Sequence, residues 1–333
     1  MSRAPLSPER PPREWREAIR AGDRRAMARA ITLLESTRED HAAFAQRLLE
    51  ALVPDSGGAV RVGISGPPGV GKSHLIEALG LMLVERGLRV AVLAVDPSSP
   101  VTGGSILGDK TRMAKLARRD EAFIRPSPSG GSLGGVAQRT REAIIVCEAA
   151  GFDVVLVETV GIGQSEVTVA SMVDFFLVIL APGGGDELQG IKKGVIELAD
   201  TVVVNKADGD TLALAERTRA SYSSALDLLR AASGWRPRAL TASARTGAGI
   251  PELWQTVEEH RARGQADGSL QQRRRRQARD WMWALVEEGL RRAFRAHPSV
   301  RTVVGGLERD VEALKTTPAA AARALLEAFE QSR

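Results

Sequence analysis

Cysteine is nearly absent from this chain: among 333 residues only Cys147 carries a thiol. A lone thiol cannot staple the chain, which excludes a disulfide framework and favours a reducing, cytoplasmic setting. No apolar run is long enough to span a bilayer, and no signal peptide is visible, so neither membrane insertion nor export is expected. The histidines, His41, His74, His260 and His297, are dispersed, and no C-x-x-C pair accompanies them. A cluster of imidazole or thiolate ligands for a soft metal ion is therefore missing. Lysine is scarce too. Lys72, Lys110, Lys115, Lys192, Lys193, Lys206 and Lys315 are all there are among 46 basic residues, and most fall inside the motifs below. A compact ammonium does a job there that a planar guanidinium cannot. The formal net charge of +5 raises the question of nucleic acid. The arginines, however, are spread among Asp and Glu on predicted helix faces. The one dense cluster, Arg273 to Arg276, has no aromatic interleaving before Trp281. A solvated helix face or a partner contact is expected there, and no nucleic acid.

What the chain does have begins with Gly66-Pro67-Pro68-Gly69-Val70-Gly71-Lys72-Ser73, which fits G-x-x-x-x-G-K-[ST] at every position. The run before it, 61–65, reads as a short buried strand, and the apolar spacing from His74 to Met82 reads as a helix. That is the strand–loop–helix context in which glycines turn backbone N–H groups onto phosphates. Lys72 adds a point charge at the β and γ oxygens, and the Ser73 hydroxyl can ligate Mg²⁺. His74, next in line, borders the loop as a first-turn helix residue. The chain is expected to bind a nucleoside triphosphate.

Its base is indicated further on. A buried strand, 201–205, runs straight into Asn205-Lys206-Ala207-Asp208, an N-K-x-D string. Guanine offers N1–H and N2–H₂ as donors, and the Asp208 carboxylate can accept both. Adenine lacks that pair and would leave a desolvated carboxylate without partners, a mismatch worth on the order of 10⁴-fold. Asn205 can address the O6/N7 edge, while the Lys206 stem can pack over the base and steady the phosphate loop. Ser243, Ala244 and Arg245, after the next apolar strand, complete the expected base pocket. GTP is the expected nucleotide.

Between residues 60 and 262, apolar strands at 61–65, 89–95, 153–158, 175–181, 201–205 and 238–242 alternate with helical periods. This is the pattern of a doubly wound α/β domain with a mostly parallel sheet. Residues 1–13 read as a disordered lead-in, and 14–57 as a helical extension of two stretches. The nucleotide domain is expected at 58–264. A helical extension follows at 265–333, with more apolar stripe than one core needs, which makes it a candidate homodimer arm. Three carboxylates fall at or near strand ends that face the phosphate crevice: Asp96, Asp109 and Glu158. Mg²⁺ takes one or two carboxylates with waters and phosphate oxygens, so these and Ser73 are the candidate metal ligands. The N–H of Gly161 is placed to sense a γ-phosphate. Further on, Asp186 and Gln189 form a capping box after a glycine run.

Several longer strings closely resemble the MeaB/ArgK/MMAA family, GTPase chaperones of adenosylcobalamin-dependent acyl-CoA mutases within the SIMIBI class of P-loop proteins. They are Asp96-Pro97-Ser98-Ser99-Pro100 through Gly108-Asp109-Lys110-Thr111-Arg112-Met113, Arg125-Pro126-Ser127-Pro128 with Leu133-Gly134-Gly135, Glu158-Thr159-Val160-Gly161-Ile162-Gly163-Gln164-Ser165-Glu166, and Gly185-Asp186-Glu187-Leu188-Gln189-Gly190-Ile191-Lys192-Lys193-Gly194. The resemblance runs from about Trp15 into the C-terminal helices. It implies switch segments at 96–113 and 158–166, and a third at 183–193 that couples nucleotide to mutase, with Gln164, Asp186, Glu187, Gln189, Lys192 and Lys193 in coupling roles. It implies a separate mutase polypeptide that carries adenosylcobalamin, with an adenosyltransferase as a second candidate partner. His74 departs from the family, where Thr is common. No glutamine directly follows Gly161 and no arginine finger is identifiable, so hydrolysis to GDP is expected to be slow and partner-accelerated. The alternatives are a nickel- or cobalt-insertion GTPase, disfavoured by the scattered histidines, and a transport-associated NTPase or kinase, disfavoured by N-K-x-D.

Overall fold

Residues 10–36, 38–95, 113–126, 133–159, 165–183, 193–227 and 234–330 are described by the computed structural model. Two compact units divide the chain, one ending at Arg274 and the other starting at Arg275.

The first unit is built on seven strands among the described residues: β1 (Val60–Ser65), β2 (Val90–Val95), β3 (Ala122–Arg125), β4 (Val154–Thr159), β5 (Phe175–Leu180), β6 (Thr201–Val204) and β7 (Arg238–Thr241). They lie in the order β3-β2-β4-β1-β5-β6-β7, every pairing parallel. β4 and β5 are buried at every position, as strands covered on both faces must be. β3 was not among the strands expected. It is four residues long, sits at the sheet edge and ends in Arg125, so it offers too short an apolar run to stand out.

Helices cover both faces. On one side lie α1 (Pro12–Arg20), α2 (Arg24–Leu34), α3 (Glu39–Leu52) and α5 (Leu133–Ala149), whose Trp15, Met27, Leu48 and Val146 share a core with β4 and β5. On the other lies α4 (Lys72–Glu85), and Leu75, Ile76 and Leu79 join a second core that also holds Leu253 and Trp254. The first N-terminal stretch, expected as one helix, is two. Asp23 caps α2 by accepting from the N–H groups of Arg25 and Ala26, which stops α1 and starts a new helix. Shorter helices, α6 (Ser165–Ala170) and α7 (Lys193–Ile196), precede α8 (Leu212–Asp227) and α9 (Ile250–Ala266). No helix among the described residues is long and apolar enough to cross a membrane.

The starts of the parallel strands are tied by acids. The Asp174 carboxylate accepts from the backbone N–H of Arg61, and the Asp200 carboxylate accepts from the N–H of Phe176. Both acids are buried and both are answered by the arginine cluster that begins α10 (Ser269–Ala296). Arg274 donates to Asp174 through Nε at 2.8 Å and to the Ala59 carbonyl at 2.7 Å. Arg273 lies 3.3 Å from Asp200. Of the two readings expected for the cluster, a solvated helix face or a partner contact, the first does not hold for Arg273 and Arg274, which are counter-ions of the sheet. His260 packs edge-on against Phe175 and Trp235 beside Asp200, and burial lowers its pKa.

The second unit holds the rest of α10 with α11 (Pro298–Glu312) and α12 (Pro318–Glu330). α11 gives way near Leu314, whose φ is +55°, and the chain turns helical again at Pro318, where a missing N–H costs nothing. Phe294 and His297 pack on Phe329. Met282, Trp283, Val286 and Leu290 are exposed.

Two stability predictions arise from these buried charges. Replacing Arg274 with Ala leaves Asp174 uncompensated and is expected to cost about 2–4 kcal/mol in urea unfolding, whereas the double change Arg274→Met with Asp174→Asn is expected to cost clearly less. On α5, burial pushes the Glu142 carboxyl up to about 7 from 4.5, only partly offset by the Gln138 amide that donates to it. The folded chain thus holds a proton that the unfolded chain has lost, and stability falls as pH rises from 4.5 to about 7. Glu142→Gln should remove that fall and be more stable than the parent at pH 8 by up to about 3 kcal/mol.

Candidate functional site

Because every strand is parallel, all their C-terminal ends meet on one rim, where ligands of such sheets bind. β1 is the central strand, and the loop Gly66–Gly71 leaves it for α4. Gly66 has φ +152° and an added Cβ would sit 2.3 Å from the Ile179 carbonyl oxygen. At Gly71, with φ +90°, a Cβ would stand 2.7 Å from Asn205 Nδ2. Neither place admits a side chain. Gly71 is the N-cap of α4 and, as a glycine, brings no side chain of its own to cap the first turn, so the positive helix end faces the loop. Lys72 folds back over that loop, its Nζ donating to the carbonyls of Gly66 at 2.7 Å and Pro67 at 3.1 Å. Pro68 and Val70 fill the remaining loop positions, and Val70 is buried in the core.

Beside the loop, the Ser73 hydroxyl donates to Glu158 Oε1 at 3.0 Å. Glu158 lies near the end of β4 and is buried. The next residue, Thr159, donates from its hydroxyl to Ser65 at the end of β1. A hydroxyl and a carboxylate brought together at the mouth of the phosphate loop form a hard-oxygen pair of the kind that suits Mg²⁺ with phosphate oxygens and waters. His74 is the third residue of α4. Asp96, Asp109, Gly161, Gln164, Asp186, Glu187, Gln189 and Lys192 lie outside the described residues, and so does the Lys193 side chain.

The base side is drawn together by Asn205. Its Nδ2 donates to the Val70 carbonyl at 2.9 Å and its Oδ1 accepts from the Ala244 N–H at 3.3 Å. The expected contact with a base edge thus shares this amide with a structural strut. Lys206 adopts φ +59°, and its Nζ donates to the Gly69 carbonyl at 2.8 Å. Asp208 accepts from the Ser243 hydroxyl and pairs with Arg245. Ser243 in turn accepts from the Thr246 N–H. Thr211 is a member of this loop that the sequence reading missed: its hydroxyl donates to the Asp208 carbonyl at 2.8 Å. A threonine three residues after the aspartate, just ahead of a helix, was the available signal.

The geometry yields a two-sided expectation. Asp208→Ala should weaken binding of a fluorescent guanine nucleotide by about 10²-fold or more, since charge-assisted bonds to both base donors are lost. Gly71→Ala should weaken guanine and adenine nucleotides alike, because it displaces the phosphate loop from Asn205. Equal affinity for both bases in the parent protein would overturn the reading of Asp208.

A sequence model of the family described as "Methylmalonyl Co-A mutase-associated GTPase MeaB" matches residues 27–299. A Mycobacterium tuberculosis (H37Rv) protein called "Probable GTPase Rv1496" is 58% identical over 93% of both chains. "GTPase ArgK" of Escherichia coli K12 is 52% identical over 81% of this chain and 82% of its own. A solved structure reported as an LAO/AO transport system kinase is 39% identical, with a TM-score of 0.79, over 98% of this chain and 99% of that one. The chain is a GTPase and belongs to the MeaB family.

Proposed function

We propose that this GTPase is a nucleotide-gated chaperone of an adenosylcobalamin-dependent acyl-CoA mutase of the methylmalonyl-CoA type, controlling cofactor loading, protection or repair. The observation that carries the reading is the match of most of the chain to a family named for association with methylmalonyl-CoA mutase. A mouse relative, 50% identical over 93% of this chain, is called "Methylmalonic aciduria type A homolog, mitochondrial", which agrees with it. The mutase is a separate polypeptide carrying the cobalamin, with an adenosyltransferase as a further candidate partner. The chain works in the cytoplasm as a homodimer, and the exposed apolar stripe of α10 supports the last point.

Each residue has a task. Asp208, held by Ser243, reads guanine, and Arg245 flanks that carboxylate. Lys206 and Asn205 fix the phosphate loop against the base loop. Lys72 and the α4 N–H groups neutralise charge that spreads over the γ-phosphate oxygens as water attacks in line and GDP leaves. Ser73 and Glu158, with Asp96 and Asp109 as further candidates, would hold Mg²⁺, which supplies charge neutralisation at the β and γ oxygens. Gly161 senses the γ-phosphate. Gln164, Asp186, Glu187, Gln189, Lys192 and Lys193 couple it to the partner.

The name of the 39% identical structure favours a second reading, a kinase acting on a transport protein. The readings part at the acceptor: water in one, a protein side chain in the other. Hydrolysis of GTP by the purified protein should be slow alone and rise about tenfold or more with one cobalamin-dependent mutase, with no response for ATP. Unchanged GTP turnover with every such mutase, or transfer of labelled phosphate to a protein, would sink the proposal.

A further inference from the structure

Toward its C-terminal end, α10 is two-sided. Met282, Val286 and Leu290 recur every fourth residue and are exposed. Glu288, Arg291, Arg292 and Arg295 recur at i, i+3, i+4 and i+7, which places them on one face on the opposite side of the helix. There they meet Arg301, in the first turn of α11, around an open cleft of about 370 Å³ that Ala296 also lines. Four guanidinium groups face one carboxylate. Glu288 lies 3.7 Å from Arg291, and no described carboxylate pairs with Arg292, Arg295 or Arg301.

Local structure accounts for only part of this. A cation in the last turn of α10 is favourable to the helix dipole, which explains Arg295. Arg301 is placed near the positive end of α11, where a cation is disfavoured and where no acid stands in the first turn. Like charges gathered in one cleft repel one another across less than a screening length. Incoming carboxylates relieve that cost, and guanidinium groups match them two bonds at a time. Arginine is also enriched at protein interfaces where lysine is depleted. The charges are strung along two helix turns rather than focused on one point, which suits several carboxylates on a protein surface better than a single phosphate.

We infer that the α10–α11 cleft is a docking site for an acidic protein surface, built from none of the residues assigned to the nucleotide. That the surface belongs to the client mutase rests on the function proposed above; the cleft's preference for carboxylates does not. The test uses the full chain and Arg292→Glu/Arg295→Glu, with Arg292→Ala/Arg295→Ala as the milder pair. Intrinsic GTP hydrolysis should be unchanged in both. Affinity for the responsive mutase should fall steeply between about 50 and about 200 mM salt in the parent, and by about tenfold or more on charge reversal. Equal mutase binding by parent and reversed chain would overturn the inference and leave the chaperone reading standing. If no mutase binds at all, the chaperone reading fails and a labelled polyglutamate peptide decides for the cleft. Salt-sensitive peptide binding that the reversal abolishes supports it; its absence, or binding of duplex DNA alone, overturns it.

Discussion

A single buried carboxamide organises the nucleotide rim. Asn205 is 1% exposed, and its two ends hold the phosphate loop through Val70 and the base loop through Ala244. Lys206 adds a second tie, to Gly69, at the cost of a left-handed backbone conformation that a non-glycine residue adopts at roughly 1–2 kcal/mol. Gly71 lies close enough to Asn205 that no side chain could intervene. The loop assigned to phosphate and the loop assigned to the base are therefore joined in one hydrogen-bonded assembly, so that a distortion of either is passed to the other. Pre-organisation of this kind lets binding energy go into discrimination rather than into ordering loops.

The two edges of the parallel sheet do different work. At the C-terminal edge, polar groups converge around the phosphate loop. At the N-terminal edge, Asp153, Asp174 and Asp200 each stand just before a strand and accept from a backbone N–H of a neighbouring segment. Asp174 and Asp200 are buried and need counter-ions, which Arg274 and Arg273 supply, while Arg61 answers the buried Glu148 at 2.7 Å. The start of α10 is thus fixed by charge to the end of the sheet away from the chemistry.

What could be read from the sequence was what is encoded in contiguous strings. The phosphate loop and N-K-x-D are local: the same few residues set the backbone path and present the chemistry, so Lys72, Ser73, Asn205 and Asp208 could be named without a fold. The long apolar strands were legible for the same reason. Features that depend on distant partners were not. Arg274 looks like any solvated arginine until Asp174, a hundred positions away, is placed beside it. Likewise, the meeting of Ser73 with Glu158 spans 85 positions. Short edge strand β3 carried too few residues to show a period, and the break between α1 and α2 turned on one aspartate whose capping role competes with an ordinary surface position.

The second unit reverses the logic of the first. Its charges are exposed, and its apolar residues form a stripe rather than a closed core. An apolar stripe is covered by burial, which salt does not weaken, whereas a basic cleft attracts its partner through fields that salt screens within about 8 Å. One helix bearing both on opposite faces can hold two contacts whose responses to ionic strength differ in sign or size. A second copy seated on the apolar face would leave the arginines outward, so the proposed self-association and the proposed capture of an acidic surface would not compete for the same side chains.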